Sequence, residues 1–505
     1  WPLALSGAVP RSDRLALGNE KVISWTARMP TTRRITIHPS QAAIEQGLSD
    51  IQAQLKLPSG FPAEVEVAAA QAAASPRMPD LDRTDVALVT IDPAESMDLD
   101  QAMFVERNDG GYRVYYAIAD VAAFVTAGDP IDIEANKRGE TLYGADSKIP
   151  LHPKILSEGA ASLLPDQIRP ALLWTIALDS TGETIGIDVR RARVRSRAKL
   201  NYVDVQRSID AGGADPMWAV LREIGELRAQ REQARGGISL PLPEQELRLN
   251  NGVWTVEYRA RLAVEDWNAQ ISLLTGMAAA QLMVRAKVGI LRTLPDADPM
   301  AIERLRRTAS ALGIAWPQEQ RYPDFIRSLD PTKPAHMAML TASTSVLRGA
   351  AYAAFNGSLP VQPRQSAIAA EYAHATAPLR RLVDRYAGEV CVALCAQQPV
   401  PAWVLAALPG LPATMQLADR RASKYERAVV DLVEATVMAS HVGDIFDGTI
   451  VEIAHDDTKK GIVMLRDPAI EAPIAGGADL PLGAAIKVKL VAADVATRSI
   501  QFVPA

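Results

Sequence analysis

The feature that most constrains this chain is a set of three aspartates, Asp92, Asp98 and Asp100, within nine residues and directly after the apolar residues 86–89. If the backbone after Met97 is extended, the carboxylates of Asp98 and Asp100 point to the same face. Their repulsion is tolerated only where a cation lies between them or where one of them stays protonated. Oxygen ligands alone suit Mg2+ or Mn2+ better than Zn2+. The pattern therefore predicts a site for a divalent cation, and an acidic turn on the surface is the alternative.

A second group of polar side chains lies near residue 380. Arg380 and Arg381 follow Pro378, and proline is well placed in the first turn of a helix. This predicts a helix that begins near 377–378, whose backbone N–H groups and arginines would stabilise a phosphate. A guanidinium suits this role because it can bind two phosphate oxygens at once. A solvated arginine pair is the alternative. For His374, a hydrogen-bonded structural histidine is favoured over a ligand or a base.

The two segments together resemble the ribonuclease II (RNB) family of exoribonucleases. The acidic motif of that family, D-x5-D-x-D-D-A, is matched here at Asp92, Asp98, Asp100 and Ala102. The second motif, roughly Y-x-H-x-T-S-P-I-R-R, is matched at Tyr372, His374, Thr376, Pro378, Arg380 and Arg381. The chain departs from these motifs where Gln101 replaces an aspartate, Ala377 a serine and Leu379 an isoleucine. The resemblance covers about residues 85–440. The lack of a lysine-rich tail favours the ribonuclease II branch over the ribonuclease R branch.

The resemblance implies a processive 3′-to-5′ exoribonuclease that hydrolyses single-stranded RNA to nucleoside 5′-monophosphates. It implies that Asp92, Asp98 and Asp100 hold the metal. The catalytic residues are then Asp100 and Arg380, of which Arg380 matches the family arginine that stabilises the scissile phosphate. The expected cofactor is Mg2+, with Mn2+ as the other candidate, and two such ions can activate a water molecule and stabilise the leaving 3′-oxygen. Because Gln101 lacks the charge of an aspartate, we expect weaker metal binding and a greater dependence on Mn2+. The alternative function is a catalytically weakened RNA-binding protein with the same fold.

The RNA contacts are expected at an aromatic residue and at a row of arginines. The resemblance places Tyr143 where the family has an aromatic residue that stacks on the 3′-terminal base, a contact open to every base. A buried core tyrosine is the alternative. Basic residues also recur at every second position: Arg191, Arg193, Arg195, Arg197 and Lys199. In a strand, they form one basic face, and we expect RNA contacts from Arg193, Arg195 and Arg197, together with Arg381. A solvated edge strand, protected from pairing by its charge, explains the row equally well.

Composition limits the function classes. The net charge of -5 argues against a globally basic nucleic-acid binder, so RNA contacts must come from local patches. The two cysteines lack the histidine partners of a zinc site and indicate reduced thiols. We find no apolar run of the ~18 residues that a membrane span requires and no signal peptide. We therefore expect a cytoplasmic protein that does not contact membranes and that is a monomer.

The expected fold class is α+β, in three domains. Residues 1–80 indicate a short helical accessory domain, in which Ser40 caps a helix to residue 57 and a second helix covers 62–74. This outline fits either a helix-turn-helix reader or a helical brace on the catalytic domain, and Arg33 and Arg34 before it either contact phosphate or are solvated. The resemblance gives 81–440 as a mixed RNB catalytic domain, in which the β-branched and aromatic residues of 112–118 predict a strand. Residues 441–505 show alternating strands that, with one strand unrecognised, fit a small five-stranded barrel, and the resemblance implies that this barrel is an OB-fold that binds single-stranded RNA.

Overall fold

The computed structural model describes residues 41–144, 148–212, 215–250 and 253–505. The arginine pair at 33–34 and the proposed helix cap at Ser40 lie outside the described residues. The helices are α1 Gln41–Gln54, α2 Ala63–Ala74, α3 Pro130–Arg138, α4 Tyr202–Asp210, α5 Pro216–Arg235, α6 Ala263–Ala286, α7 Pro299–Ala311, α8 Tyr322–Arg327, α9 Pro334–Ser343, α10 Leu382–Cys395, α11 Ala402–Ala407 and α12 Leu411–Met438.

The strands are likewise numbered in chain order. Those before α6 are β1 Thr90–Ile91, β2 Gln101–Asn108, β3 Gly111–Ala119, β4 Leu142–Tyr143, β5 Lys148–Ile149, β6 Ile168–Leu178, β7 Thr184–Arg195, β8 Lys199–Leu200, β9 Glu244–Asn250 and β10 Val253–Arg259. Those after α6 are β11 Val288–Thr293, β12 Ala351–Asn356, β13 Arg364–Gln365, β14 Ala370–Glu371, β15 Ile445–Ile453, β16 Lys460–Leu465, β17 Glu471–Ala475, β18 Ala485–Asp494 and β19 Ser499–Pro504. The α+β fold class is confirmed.

An antiparallel sheet of order β2-β3-β6-β7 supports the catalytic region. The strand predicted over 112–118 is β3, which pairs with β6 through Tyr116 and Trp174. Alternation along β3 sends Tyr116 into one core, whereas Ala117 and Ala119 enter the core on the other face. The sheet is therefore covered on both sides, and the loops at its end are held between two packed layers.

Helices α6 and α10 cover the face of the sheet that carries the large side chains. Leu274 of α6 and Tyr386 of α10 lie in the same buried core as Trp174 of the sheet. The chain before α10 crosses α6 at Gly276, where a Cβ atom would clash with the ring of Tyr372. Only glycine permits this approach, which fixes the segment after residue 372 against α6.

The two helices expected near the N-terminus are α1 and α2, and each packs on the catalytic region. Ile44 and Ile51 of α1 share a buried core with Leu432 of α12. Val65 and Ala69 of α2 enter the core on the alanine-lined face of the sheet. Because both helices bury their apolar sides on the catalytic region, the contacts favour the helical brace over a helix-turn-helix reader.

The C-terminal region forms a closed five-stranded barrel of order β15-β16-β17-β19-β18, which confirms the expected OB-type fold. The strand that the sequence pattern did not reveal is β17, whose five residues include Pro473. A short segment that contains proline gives a weak strand signal. The aromatic residues Phe446 and Phe502 pack edge to face inside the barrel, with ring centroids 6.1 Å apart. They are core residues and do not offer a stacking surface for bases.

Among the described residues, no helix is both long and apolar enough to span a membrane.

The brace interpretation predicts that Ile51→Ala lowers the free energy of unfolding by about 2 to 5 kcal/mol, because the side chain is fully buried against α12. Urea unfolding of the whole chain measures this, with exposed Ser49→Ala on the same helix as the matched control. RNA affinity should stay unchanged in both variants. A loss of RNA affinity without a loss of stability would instead support a reader.

Candidate active site

The sheet region fixes the aspartate segment at both ends. β1 pairs in parallel with β8, and the N–H of Asp92 donates to the carbonyl of Leu200 at 3.1 Å. At the other end, the carbonyl of Asp100 accepts an N–H of β3 at 2.9 Å, where β2 begins. Leu99 is fully buried, so the carboxylates on either side of it share the opposite face, as an extended backbone requires.

The three carboxylates act on one another. Burial and the charge of Asp98 raise the pKa of Asp92 to about 6, against the opposing effect of Arg380. Burial also raises the pKa of Asp100 well above its ordinary value, although Arg380 and the N–H of Leu379 oppose the rise. Asp98 adds to the rise at Asp100. Partly buried like charges that converge in this way favour the binding of a cation.

The segment around Pro378 is a turn. The expectation that a helix begins near 377–378 is wrong, because α10 starts later in the chain. The N–H of Ala377 donates to Asp384 Oδ1 at 2.8 Å, and the N–H of Leu379 donates to Asp100 Oδ1 at 2.7 Å. The backbone donors that would have faced a phosphate are therefore bound to carboxylates of the protein.

Arg380 and Arg381 differ in their surroundings. Arg380 is 46% exposed, and its Nε atom lies 3.8 Å from Asp100 Oδ2. Arg381 is only 16% exposed and binds Asp384 through two hydrogen bonds, of 2.5 and 2.8 Å. Arg380 thus presents its guanidinium to solvent beside the carboxylates, whereas Arg381 holds the turn in place. A contact of Arg381 with RNA stays a prediction.

Tyr143 lies on the wall of the same cleft as Arg380. Its side chain is 48% exposed, which excludes the buried core tyrosine considered from the sequence. The cleft has a volume of about 210 Å³ and is lined by Glu140, Thr141, Tyr143, Arg380, Arg381, Ala422 and Glu426. Burial and the charge of Asp419 raise the pKa of Glu140 to about 7. An aromatic ring and a guanidinium therefore line one opening, and Arg380 connects it to Asp100.

Gln101 joins the two motifs. Its Nε2 atom donates to the carbonyl of Thr376 at 2.5 Å, and the Thr376 hydroxyl lies 3.0 Å from that of Ser272 on α6. This amide therefore has a structural partner, which sequence reasoning did not anticipate. A glutamate at this position would direct a carboxylate against a carbonyl oxygen unless it were protonated.

His374 is a structural residue, which confirms the favoured interpretation. Its Nδ1 atom is 2.7 Å from the Tyr352 hydroxyl, and its ring contacts Tyr352 and Tyr372 edge to face. Burial and the nearby Arg381 and Arg292 lower the pKa of His374 well below its ordinary value, so the ring is neutral.

The first three arginines of the basic row lie on β7, the edge strand of the sheet, whereas Arg197 follows that strand and Lys199 begins β8. Arg191 is bound to Asp120 at 2.8 Å and also to Glu389 of α10, so it has a structural role. Arg193 Nη2 lies 3.4 Å from a carboxylate oxygen of Asp82, while Arg197 donates to the carbonyl of Asp85 at 3.0 Å. Arg195 is exposed. None of the row lines the cleft of Tyr143, and the RNA contacts expected of Arg193, Arg195 and Arg197 stay predictions.

Lys148 enters the carboxylate cluster although the sequence motifs did not indicate it. Its ammonium is 2.7 Å from Asp98 Oδ1 and 3.0 Å from Glu158 Oε1. Against the effect of burial, these two carboxylates raise the pKa of Lys148, so it stays charged. Lys148 and Asp98 are fifty residues apart in the chain, and no local pattern predicts their contact.

The donor chemistry of the three aspartates fits a hard divalent cation. In the structure, Asp98 and Asp100 lie beside the cationic side chains of Lys148 and Arg380. Over the part of the chain that the structure describes, no three His, Cys, Asp or Glu side chains are placed to hold a metal ion together. Metal binding by the aspartates would thus require their side chains to rearrange.

Comparison with protein families identifies both main regions. The model of the RNB domain matches residues 81–394, and the model of the RNase II-type exonuclease C-terminal S1 domain matches residues 444–505. Ribonuclease R of Escherichia coli is 27% identical over 402 residues, which are 74% of this chain and 48% of that protein. Exoribonuclease 2 of Vibrio vulnificus is 31% identical over 174 residues, 33% of this chain and 26% of that protein. The chain thus spans about half the length of the ribonuclease R that it matches.

Solved structures share the fold. RNase R of Mycoplasma genitalium, solved in complex with ribose methylated single-stranded RNA, matches with a TM-score of 0.81 and 18% identity over 92% of this chain and 78% of its own. Yeast Ssd1, described as a pseudonuclease, matches with a TM-score of 0.67 and 15% identity over 90% of this chain and 57% of its own.

The covered sheet with the aspartates at its end lies in the RNB domain, and the C-terminal barrel corresponds to the S1 domain. The chain belongs to the RNB family, since the family model matches more than half of its length. Relatives of both branches are similar to it, so membership of the ribonuclease II branch stays a prediction.

The role of Gln101 is tested by Gln101→Glu, which replaces the donating amide nitrogen by oxygen. At pH 8 we expect the free energy of unfolding to fall by about 1 to 3 kcal/mol, because the carbonyl of Thr376 loses its donor. Near pH 5 the loss should shrink, since a protonated glutamate can donate. Urea unfolding at both pH values measures the effect, with exposed Gln318→Glu as the control. A loss independent of pH would contradict this role.

Proposed function

We propose that this protein is a processive 3′-to-5′ exoribonuclease that hydrolyses single-stranded RNA to nucleoside 5′-monophosphates with Mg2+ or Mn2+. The observation that carries the proposal is the position of Arg380, which lines the same cleft as exposed Tyr143 while its Nε atom lies 3.8 Å from buried Asp100. The similarity to proteins named ribonuclease R and exoribonuclease 2, and to a fold solved with single-stranded RNA, supports an RNA substrate. A monomeric, cytoplasmic enzyme is part of the proposal.

Each residue of the cleft has a distinct task in this proposal. A divalent cation held by Asp92, Asp98 and Asp100 would supply a Lewis acid beside the scissile bond. Arg380 binds the phosphate, and its fixed positive charge stabilises the negative charge that grows during hydrolysis. Tyr143 stacks on the terminal base and positions the phosphate before it. Since neither contact reads base edges, all RNA sequences are accepted.

A catalytically weakened RNA-binding protein is the second candidate. Two observations favour it: Gln101 stands where the family has an aspartate, and Lys148 already binds Asp98 at 2.7 Å. Under this candidate, the cleft and the barrel would hold RNA without cleaving it. The fold is compatible with such a function, because yeast Ssd1 has a related fold and is described as a pseudonuclease.

Incubation of RNA labelled at either end, with Mg2+, Mn2+ or EDTA, distinguishes the candidates. For a processive exonuclease, 3′-labelled RNA should release labelled nucleoside monophosphate at once. The 5′-labelled RNA should be converted to a short end product without intermediates of middle length. Binding without cleavage under every condition supports the second candidate. DNA of the same sequence serves as the comparison, and equal cleavage of DNA would overturn the assignment to RNA.

Asp100→Asn should abolish hydrolysis and leave RNA affinity nearly unchanged. The asparagine can still accept the N–H of Leu379, so the buried shape is kept while the negative charge is lost. Cleavage rates and filter binding measure the two effects, with Asp109→Asn in the exposed turn after β2 as the matched control. Cleavage by the Asp100 variant at more than a small fraction of the wild-type rate would contradict its catalytic role.

Tyr143→Ala should lengthen the final undegraded product and weaken the binding of short RNAs by ~1 to 3 kcal/mol, the usual contribution of one stacked base. Long RNAs should be less affected because other contacts hold them. Gel analysis of end products gives the readout, and Tyr143→Phe, which keeps the ring, should behave as the wild type. An unchanged product ladder in the alanine variant would mean that Tyr143 does not stack on RNA.

A further inference from the structure

Lys148 forms a fixed bridge between two carboxylates at the edge of the aspartate cluster. Its ammonium contacts Asp98 at 2.7 Å and Glu158 at 3.0 Å. The three side chains are only 12 to 22% exposed. The backbone positions are also fixed, because Lys148 pairs with Tyr143 in the β4-β5 hairpin and Glu158 lies in a helical turn, Leu156–Ala160. The bridge is therefore built into the fold and is not a chance contact of a solvated lysine.

The bridge uses the aspartate that acts on both of the other two carboxylates. Asp98 acts electrostatically on both Asp92 and Asp100, so it is the common neighbour of the other two carboxylates. An ammonium and a divalent ion that bind the same carboxylate repel each other at close range. Departure of Lys148 would in turn leave Glu158 with an unpaired charge in a partly buried position, which is unfavourable.

The charge balance of the cluster also argues against a second divalent ion. At the position where the family has a further aspartate, this chain has Gln101, whose amide donates to a backbone carbonyl and adds no negative charge. The cluster thus lacks the negative charge of that aspartate and contains the positive charge of Lys148. Two divalent ions would bring more positive charge than the cluster can neutralise, whereas one ion together with Lys148 would not.

We propose that Lys148 is a resident cation of the metal site, which occupies Asp98 in place of a second divalent ion, so that the protein binds one divalent ion through Asp92 and Asp100. The inference rests on the proposed function only in that it takes Asp92 and Asp100 as metal ligands, and it differs from that proposal in assigning Asp98 to Lys148. Lys148 is then a positioning residue: it holds Asp98 and sets how many ions the site accepts.

The number of Mn2+ ions bound per chain tests this directly. Titration of the whole RNA-free protein, with free Mn2+ followed by electron paramagnetic resonance, should give one ion for the wild type. Lys148→Met should bind two ions and should reach half-saturation at a Mn2+ concentration lower by about tenfold, because a repelling charge is removed. Lys148→Arg, which keeps the charge, should bind one.

The control is Lys137→Met, which removes another lysine that is paired with a carboxylate, Glu134, but lies outside the cluster. It should titrate as the wild type does. Thermal unfolding of each variant establishes that it is folded. Should Lys148→Met fail to fold, the wild-type count still decides, since a wild type that binds two ions, or none, overturns the inference. A folded Lys148→Met that binds one ion at the wild-type midpoint also overturns it.

The outcome can be separated from that of the proposed function. A wild type that binds one Mn2+ but degrades no RNA would refute the nuclease and keep the role of Lys148. A wild type that degrades RNA from the 3′ end and binds two ions would keep the nuclease and refute the role of Lys148.

Discussion

The contact between buried Asp100 and the turn that contains Leu379 and Arg380 is the interaction on which the site depends. A buried carboxylate is costly unless it is hydrogen-bonded or paired, and Asp100 obtains its donor from the N–H of Leu379, 279 residues later in the chain. Beside it, Gln101 donates to the carbonyl of Thr376. Two hydrogen bonds from neighbouring residues thus attach the start of β2 to the second motif and fix where Arg380 meets the cleft.

The remaining architecture keeps that junction rigid. The sheet is packed on both faces, so the loop before β2 cannot shift without disturbing two cores. On the other side of the junction, the close approach at Gly276 and the pairing of Arg381 with Asp384 hold the turn before α10. These contacts position Arg380 but do not involve its guanidinium. Its exposed guanidinium is therefore available for a ligand, while its neighbour is committed to the protein.

The chain as a whole is acidic, so the positive charge beside the aspartates comes from a few nearby side chains. Lys148 and Arg380 lie beside Asp98 and Asp100, and the charges of Arg380 and Lys199 oppose the rise in the pKa of Asp92 that burial and Asp98 cause. The basic row on and after β7 does not line the cleft of Tyr143. Some of its members pair with carboxylates of the protein, as Arg191 does with Asp120 and Glu389. A regular row of like charges in a sequence therefore does not by itself establish a phosphate-binding face.

The sequence by itself determined the family, strand β3, helices α1 and α2 and the C-terminal barrel, because these depend on spacing along the chain: alternation in β3, helical periodicity in α1 and motif order around Asp92 and Arg380. Tertiary structure alone decided which polar groups meet. It replaced the expected helix start near 377–378 by a turn whose N–H groups bind distant carboxylates, and it brought Lys148 to Asp98. The physical reason is that a backbone donor or a charged side chain takes the best partner in space, and that partner can lie hundreds of residues away, where no local pattern records it.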